Sequence, residues 1–155
     1  MARLFAVRNN TKEPTDVIYS VEQAVGIGSP NLREDVLLVQ FLLRILREPG
    51  GGGRPFIPPG ETAPLAIDGV FGKHTAAHIK FFQEEDTRRN PDSGLVLDQR
   101  VDPVKKGRVT GAITGKLLTI TSLNIQFAQR KGKSIHNNIN QDPLFPQELT
   151  SAFFL

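Results

Sequence analysis

The stretch from Asp68 to Gln83 constrains this chain more than any other. It reads Asp68-Gly69-Val70-Phe71-Gly72-Lys73-His74-Thr75-Ala76-Ala77-His78-Ile79-Lys80-Phe81-Phe82-Gln83. Asp68 and Gly69 suit a tight turn, because an Asp side chain can bond its own backbone and Gly tolerates positive φ. Gly72 suits the entry to a helix, and Ala76, Ile79 and Phe82/Gln83 then recur at helical spacing. The segment therefore reads as a turn running directly into an amphipathic helix.

A second helix pattern precedes it. Asn31 is placed to cap, and Glu34 three residues later completes a capping-box arrangement. Val36, Val39, Leu42, Leu43 and Leu46 follow on one face, with Leu38 and Phe41 widening it, so this helix is expected at the centre of the core. Pro49 ends it. A third helix is expected from Ile113 to about Arg130, with Leu117, Ile120, Leu123/Asn124 and Phe127 on one face. Residues 3–7 and 17–21 are β-branched and aromatic runs that read as two short strands. Leu65-Ala66-Ile67-Asp68 is echoed by Leu95-Val96-Leu97-Asp98, a weak internal repeat.

Residues 49–64 are rich in Pro and Gly and cannot keep a regular hydrogen-bond ladder, which predicts a flexible or extended loop. Phe56 and Ile57 are the apolar residues at its tip. Residues 87–94 form a polar loop. The last 25 residues are polar up to Leu144-Phe145-Pro146, then run to Phe153-Phe154-Leu155, a tail expected to dock on the domain or on a partner. The organisation expected is an N-terminal extension (1–30), a helical domain (31–130) and a C-terminal tail (131–155).

Composition narrows the chemistry. At 155 residues the chain fits one domain, or a small domain with long insertions. Trp is absent and Tyr occurs once, so an aromatic platform would have to use Phe or Tyr19. The net charge of +3 is a mild excess without the clustered basicity of a nucleic-acid binder. Without cysteine there are no disulfides, Cys–zinc sites or thiol catalysis. No segment has the length and apolarity of a membrane span. The apolar run before Arg8 is shorter than the centre of a secretory signal. The expectation is synthesis in the cytoplasm without a signal peptide, with any delivery to the envelope by a non-classical route or within a particle.

No nucleophile elbow or phosphate-cradling loop is present, and Glu84-Glu85-Asp86 at a helix end reads as solvated charge. Lys105-Lys106 with Arg108 reads as a solvated basic turn. The chain is expected not to be an enzyme and to need no cofactor. His74 and His78 are four apart on a helix, the spacing at which two imidazoles can share a metal, but a third ligand is not evident beyond Asp68 or distant His136. No metal site is expected.

The order Asp68-Gly69-x-Phe71-Gly72-x-x-Thr75, closing on Phe82-Gln83, resembles the core signature of the peptidoglycan-binding modules, small three-helix domains of bacterial wall proteins. Val39-Gln40 with Leu42, Leu43 and Leu46 takes the place of that family's first helix. Gly94-Leu95-Val96-Leu97-Asp98-x-x-Val101 is similar to its second turn. The likeness spans roughly residues 31–124. The chain departs from the family at His78, where Ala is usual, at Gln99, where Gly is usual, and in its insertions at 49–64 and after Gln83.

The resemblance implies a mainly α fold, a three-helix bundle, to which this chain's own sequence adds long loop insertions and a short N-terminal β element. It implies a non-catalytic module that binds peptidoglycan or its stem peptide. The groove is expected near Asp68, Gly69, Phe71, Gly72, His74 and Thr75, with Gln83 nearby. There a turn and a helix N-terminus offer N–H donors suited to a carboxylate. The same residues also admit a purely structural reading, in which Asp68, Gly72 and Thr75 cap the helix and Phe71 and Phe82 are core. An alternative function is an adaptor in a phage tail or a contractile injection or secretion particle. It would make protein contacts through Phe56, Ile57 and the tail residues Phe145, Phe153, Phe154 and Leu155.

Overall fold

The computed structural model describes residues 2–7, 16–105 and 116–153. These are mainly helical, with a few short strands. In chain order they form β1 (Arg3–Val7), β2 (Asp16–Ser20), β3 (Val25–Gly26), α1 (Arg33–Arg47), α2 (Lys73–Arg89), β4 (Arg100–Val101), α3 (Thr119–Lys131), α4 (Lys133–Asn137) and α5 (Thr150–Phe153). Strands β1 and β2 pair antiparallel, from Arg3 opposite Ser20 to Val7 opposite Asp16. Strands β3 and β4 pair antiparallel through Val25–Val101 and Gly26–Arg100.

Helix α1 is apolar over most of its circumference, and the fold surrounds it. Every residue from Asp35 to Arg47 except Arg44 is buried. Each fully buried Leu, Ile or Phe of such a helix contributes about 1.5–3 kcal/mol. Ile79 and Phe82 of α2 and Ile120, Leu123 and Phe127 of α3 belong to the same core. The Phe41 ring lies 5.7 Å from that of Phe127 and 5.4 Å, edge on, from that of Phe145.

That core also takes in the segments flanking residues 31–130. Ile18, Tyr19, Val21 and Val25 enter it from the N-terminal side, and Ile139, Phe145 and Leu149 from the C-terminal side. Tyr19, the only candidate platform besides Phe, is fully buried. Its backbone N–H and C=O are taken by the Asn124 side chain of α3, at 2.9 Å each. Asn124 thus does for β2 what a further strand would do, and His136 Nε2 closes on the same Oδ1 at 3.0 Å.

Four expectations are corrected. Asn31 does not cap α1; Leu32 holds that position. Asn31 instead adopts φ 50° and closes the preceding loop, accepting from Gly26 N–H and donating to the Gly26 and Ser29 carbonyls. Helix α2 runs on to Arg89, so Thr87–Arg89 are helix rather than loop. Helix α3 begins at Thr119, later than Ile113. Phe56 is not an exposed tip. It is buried against Phe82, with ring centroids 4.9 Å apart, under the guanidinium of Arg89 at 4.1 Å. Ile113 itself, Lys106, Arg108, Phe154 and Leu155 lie outside the described residues.

The Pro/Gly-rich segment is pinned, which explains the buried Phe56. Arg130 donates to the carbonyls of Leu46, Glu48 and Arg54, and Arg89 to those of Arg54 and Pro55. Gly50 to Gly53 make a tight turn closed by a 3.0 Å bond from Gly53 N–H to Gly50 O. Cationic side chains here supply the hydrogen bonds that a strand or helix would otherwise give.

Candidate functional site

The turn at Asp68 is built around one side chain, Gln40, in the middle of α1. Its Oε1 accepts the N–H groups of Asp68 (3.0 Å) and Gly69 (2.8 Å). Its Nε2 is shared among Asp68 Oδ1 (3.0 Å), Val70 O (3.0 Å) and Thr75 Oγ1 (3.1 Å). Asp68 Oδ1 also accepts Val70 N–H at 2.9 Å, which fixes the turn internally. A buried amide on an apolar helix is costly unless its donors and acceptors are all used, and here they are.

The arrangement recurs one element later. Gln83 of α2 accepts Gln99 N–H (2.7 Å) and donates to Asp98 Oδ1 (3.2 Å), Arg100 O (3.0 Å) and Thr119 Oγ1 (2.9 Å). Asp98 Oδ1 accepts Arg100 N–H (3.0 Å). In both turns the residue after Asp has positive φ: Gly69 at 74° and Gln99 at 58°. The weak repeat in the sequence is therefore two copies of one latch: a helix glutamine, an Asp turn, and a threonine in the first turn of the following helix.

Beside the first latch lies an open pocket of about 300 Å³. The segment 60–66 forms one wall, and Asp68, Val70, Gly72, His74 and Thr75 form the other, with Gln40 at the back. Glu61 anchors the first wall to α2. Its Oε2 lies 2.7 Å from His74 Nδ1, and its backbone carbonyl accepts from Arg47. Arg47 also donates to His78 Nε2 at 3.2 Å, while His78 Nδ1–H donates to the His74 carbonyl at 2.7 Å. Burial, with Arg47 adding to it, pushes the His78 imidazole below its usual range, so it stays neutral.

Of the residues expected at the groove, Asp68, Gly72, His74 and Thr75 line this pocket. Gly69 sits behind it, its Cα so close to Arg33 that a Cβ would fall 2.8 Å from that side chain. Phe71 packs against the core. Gln83 does not face the pocket; it is buried in the second latch. The α2 entry has no side-chain cap and no acidic residue in its first turn. His78 commits both ring nitrogens to protein partners, so it cannot share a metal with His74. Among the described residues there is no cluster of three or more potential metal ligands.

Glu61 and Arg33 were not singled out from sequence, and Gln40 was noted only within the first-helix pattern, not as part of the site. Gln40 had a signal, as the lone uncharged polar residue within the apolar run Val36–Leu43. Arg33 donates to Asp68 O at 2.7 Å and pairs with both carboxylate oxygens of Glu148 at 2.7–2.9 Å. It joins the turn to the C-terminal segment. Comparison of the chain with protein-family models, with curated proteins and with solved structures gave no match. Among the described residues no helix is long and apolar enough to cross a membrane.

Proposed function

We propose that the chain is a non-catalytic module of the peptidoglycan-binding type, and that it holds a short wall peptide in the pocket beside Asp68. The observation that supports this reading most is the joint placement of Asp68, Gly72, His74 and Thr75. Three residues of the signature and His74 between them wall one concavity, large enough for an amino-acid-sized group. Gln40 holds the turn beneath them, so the pocket is preformed and a ligand need not order it.

Titration of isotopically labelled protein with purified muropeptides tests the reading, with co-sedimentation on sacculi as a second arm. Binding is expected to move the backbone amide signals of residues 60–75 and to leave those of α4 in place. Absence of both sedimentation and shifts in 60–75 overturns it.

Of the residues named for the adaptor reading, Phe153 packs partly against the core beside Tyr19, and Phe154 and Leu155 lie outside the described residues. Phe56 and Phe145 are core residues, so neither can form a partner patch. Ile57 remains exposed.

A further inference from the structure

The ionisable residues that line the pocket are Glu61, Asp68 and His74, and no lysine or arginine lines it. Glu61 Oε1 and Asp68 Oδ2 have no hydrogen-bond partner among the described residues, because His74 uses Oε2 of Glu61 and the latch uses Oδ1 of Asp68. The neighbouring cations are held by other groups: Arg33 pairs with the Glu148 carboxylate and reaches only the backbone carbonyl of Asp68, and Arg47 donates to the Glu61 carbonyl and His78. The Val70 N–H bond, then the Gln40 amide, holds the Asp68 carboxyl below the usual carboxylate range, and the Arg33 charge adds to that lowering. The Glu61 side chain is only 18% exposed. The remaining wall is short and aliphatic, from Ala63, Pro64, Leu65, Ala66 and Val70.

We infer that this pocket accepts a primary ammonium group on a short aliphatic stem. The carboxylates of Glu61 and Asp68 receive the charge, and the aliphatic wall packs the stem. This rests on the wall-binding reading for its natural ligand, which is the free side-chain amine of an uncross-linked diamino acid in a stem peptide. It reverses the sequence-based expectation of a pocket for carboxylates. Two carboxylate oxygens with unfilled acceptor capacity, one on the largely buried Glu61 side chain and one on the exposed Asp68, attract a cation and repel an anion.

Four probes decide it: a muropeptide with the free diamino-acid amine, the same muropeptide N-acetylated at that amine, a de-N-acetylated glucosamine disaccharide, and Nα-acetyl-lysine methylamide. Amide shifts of residues 60–75 give the affinities. The free-amine muropeptide is expected to bind at least about tenfold more tightly than its acetylated form, the margin of one charge-assisted hydrogen bond. Glu61→Gln and Asp68→Asn should each weaken the free-amine form about tenfold and so narrow its advantage over the acetylated form. Asp68→Asn keeps the Oδ1 acceptor of the latch, and Glu61→Gln lies outside the latch, so each should fold.

Equal affinity for the two muropeptides overturns the ammonium inference and leaves wall binding standing. Pocket shifts from the lysine derivative with none from either muropeptide do the reverse. A response to the disaccharide without one to the peptide moves the source of the amine to the sugar and overturns the stem-peptide assignment. Unchanged affinity in both variants also overturns the inference.

Discussion

Gln40 and Gln83 each fix a turn onto the next helix with one amide. Replacing either by Met keeps the volume but leaves two or more buried or part-buried turn groups without that partner. The expected loss for Gln40→Met or Gln83→Met is about 2–4 kcal/mol in urea unfolding, from roughly 1–3 kcal/mol per orphaned group. A loss below about 1 kcal/mol would show that water replaces the latch. The two turns also predict opposite responses at matched positions. Gln99→Gly relieves a left-handed residue and should stabilise by about 1 kcal/mol. Gly69→Ala adds a Cβ against Arg33 and should destabilise. His78 carries a pH signature as well. Its folded pKa lies below its unfolded value near 6.5, so its contribution is complete above that pH. Stability should fall as pH drops through about 6.5 toward the folded value, because the unfolded chain takes up the proton first. Melting curves at stepped pH should show this decline, and His78→Gln should flatten it.

At the scale of elements, the helices were legible because burial imposes a 3.6-residue period, and α1 and α2 carry it plainly. The Asp-Gly turn was legible because few residues tolerate its backbone. What sequence could not show was tertiary capture. Asn31-Leu-Arg-Glu34 has the letters of a capping box, yet Asn31 finds three backbone partners in its own loop and stays there. The Pro/Gly segment has the composition of a loose linker, yet Arg89 and Arg130, far off in sequence, bind its carbonyls. Likewise Asp68, Gly72 and Thr75 were found through their motif and His74 through its place between them, whereas Glu61 reaches the pocket from a loop with no periodic signal. Neighbouring glycines test whether the loop is packed. At Gly51 (φ 57°) a Cβ would lie 2.7 Å from the Arg130 carbonyl oxygen, while at Gly52 (φ 74°) it would meet nothing within 4 Å. Gly52→Ala should cost about 1 kcal/mol of backbone strain alone. Gly51→Ala should cost distinctly more, because backbone must move, and equal costs in denaturant titration would argue against the packed turn.

For the whole molecule, the question is whether residues 131–155 are an appendage or part of the cooperative unit. The contacts favour the second. Phe145 stacks edge-on against Phe41 at the centre of α1, Ile139 and Leu149 are fully buried, and Glu148 pairs with the same Arg33 that holds the Asp68 turn. Lys131 reaches the buried Asp142 at 3.2 Å, tying the segment to the end of α3. The exposed Arg33–Glu148 pair adds little by itself, under about 1 kcal/mol, so the apolar contacts dominate. Truncating Phe145 to Ala removes a large side chain from a packed site, and the expected loss is about 3–5 kcal/mol. Such a loss is a large share of the 5–15 kcal/mol that a domain of this kind holds in total. Phe145 packs on α1, and Tyr19 of the hairpin is held by Asn124 of α3 and stacks edge-on against His136, all within one core. Unfolding should therefore stay a single transition seen alike by far-UV dichroism and by Tyr19 fluorescence. The Phe145→Ala variant should shift both signals to lower denaturant together. An early step in either signal, with the other unmoved, would mark the C-terminal segment as a separately melting appendage.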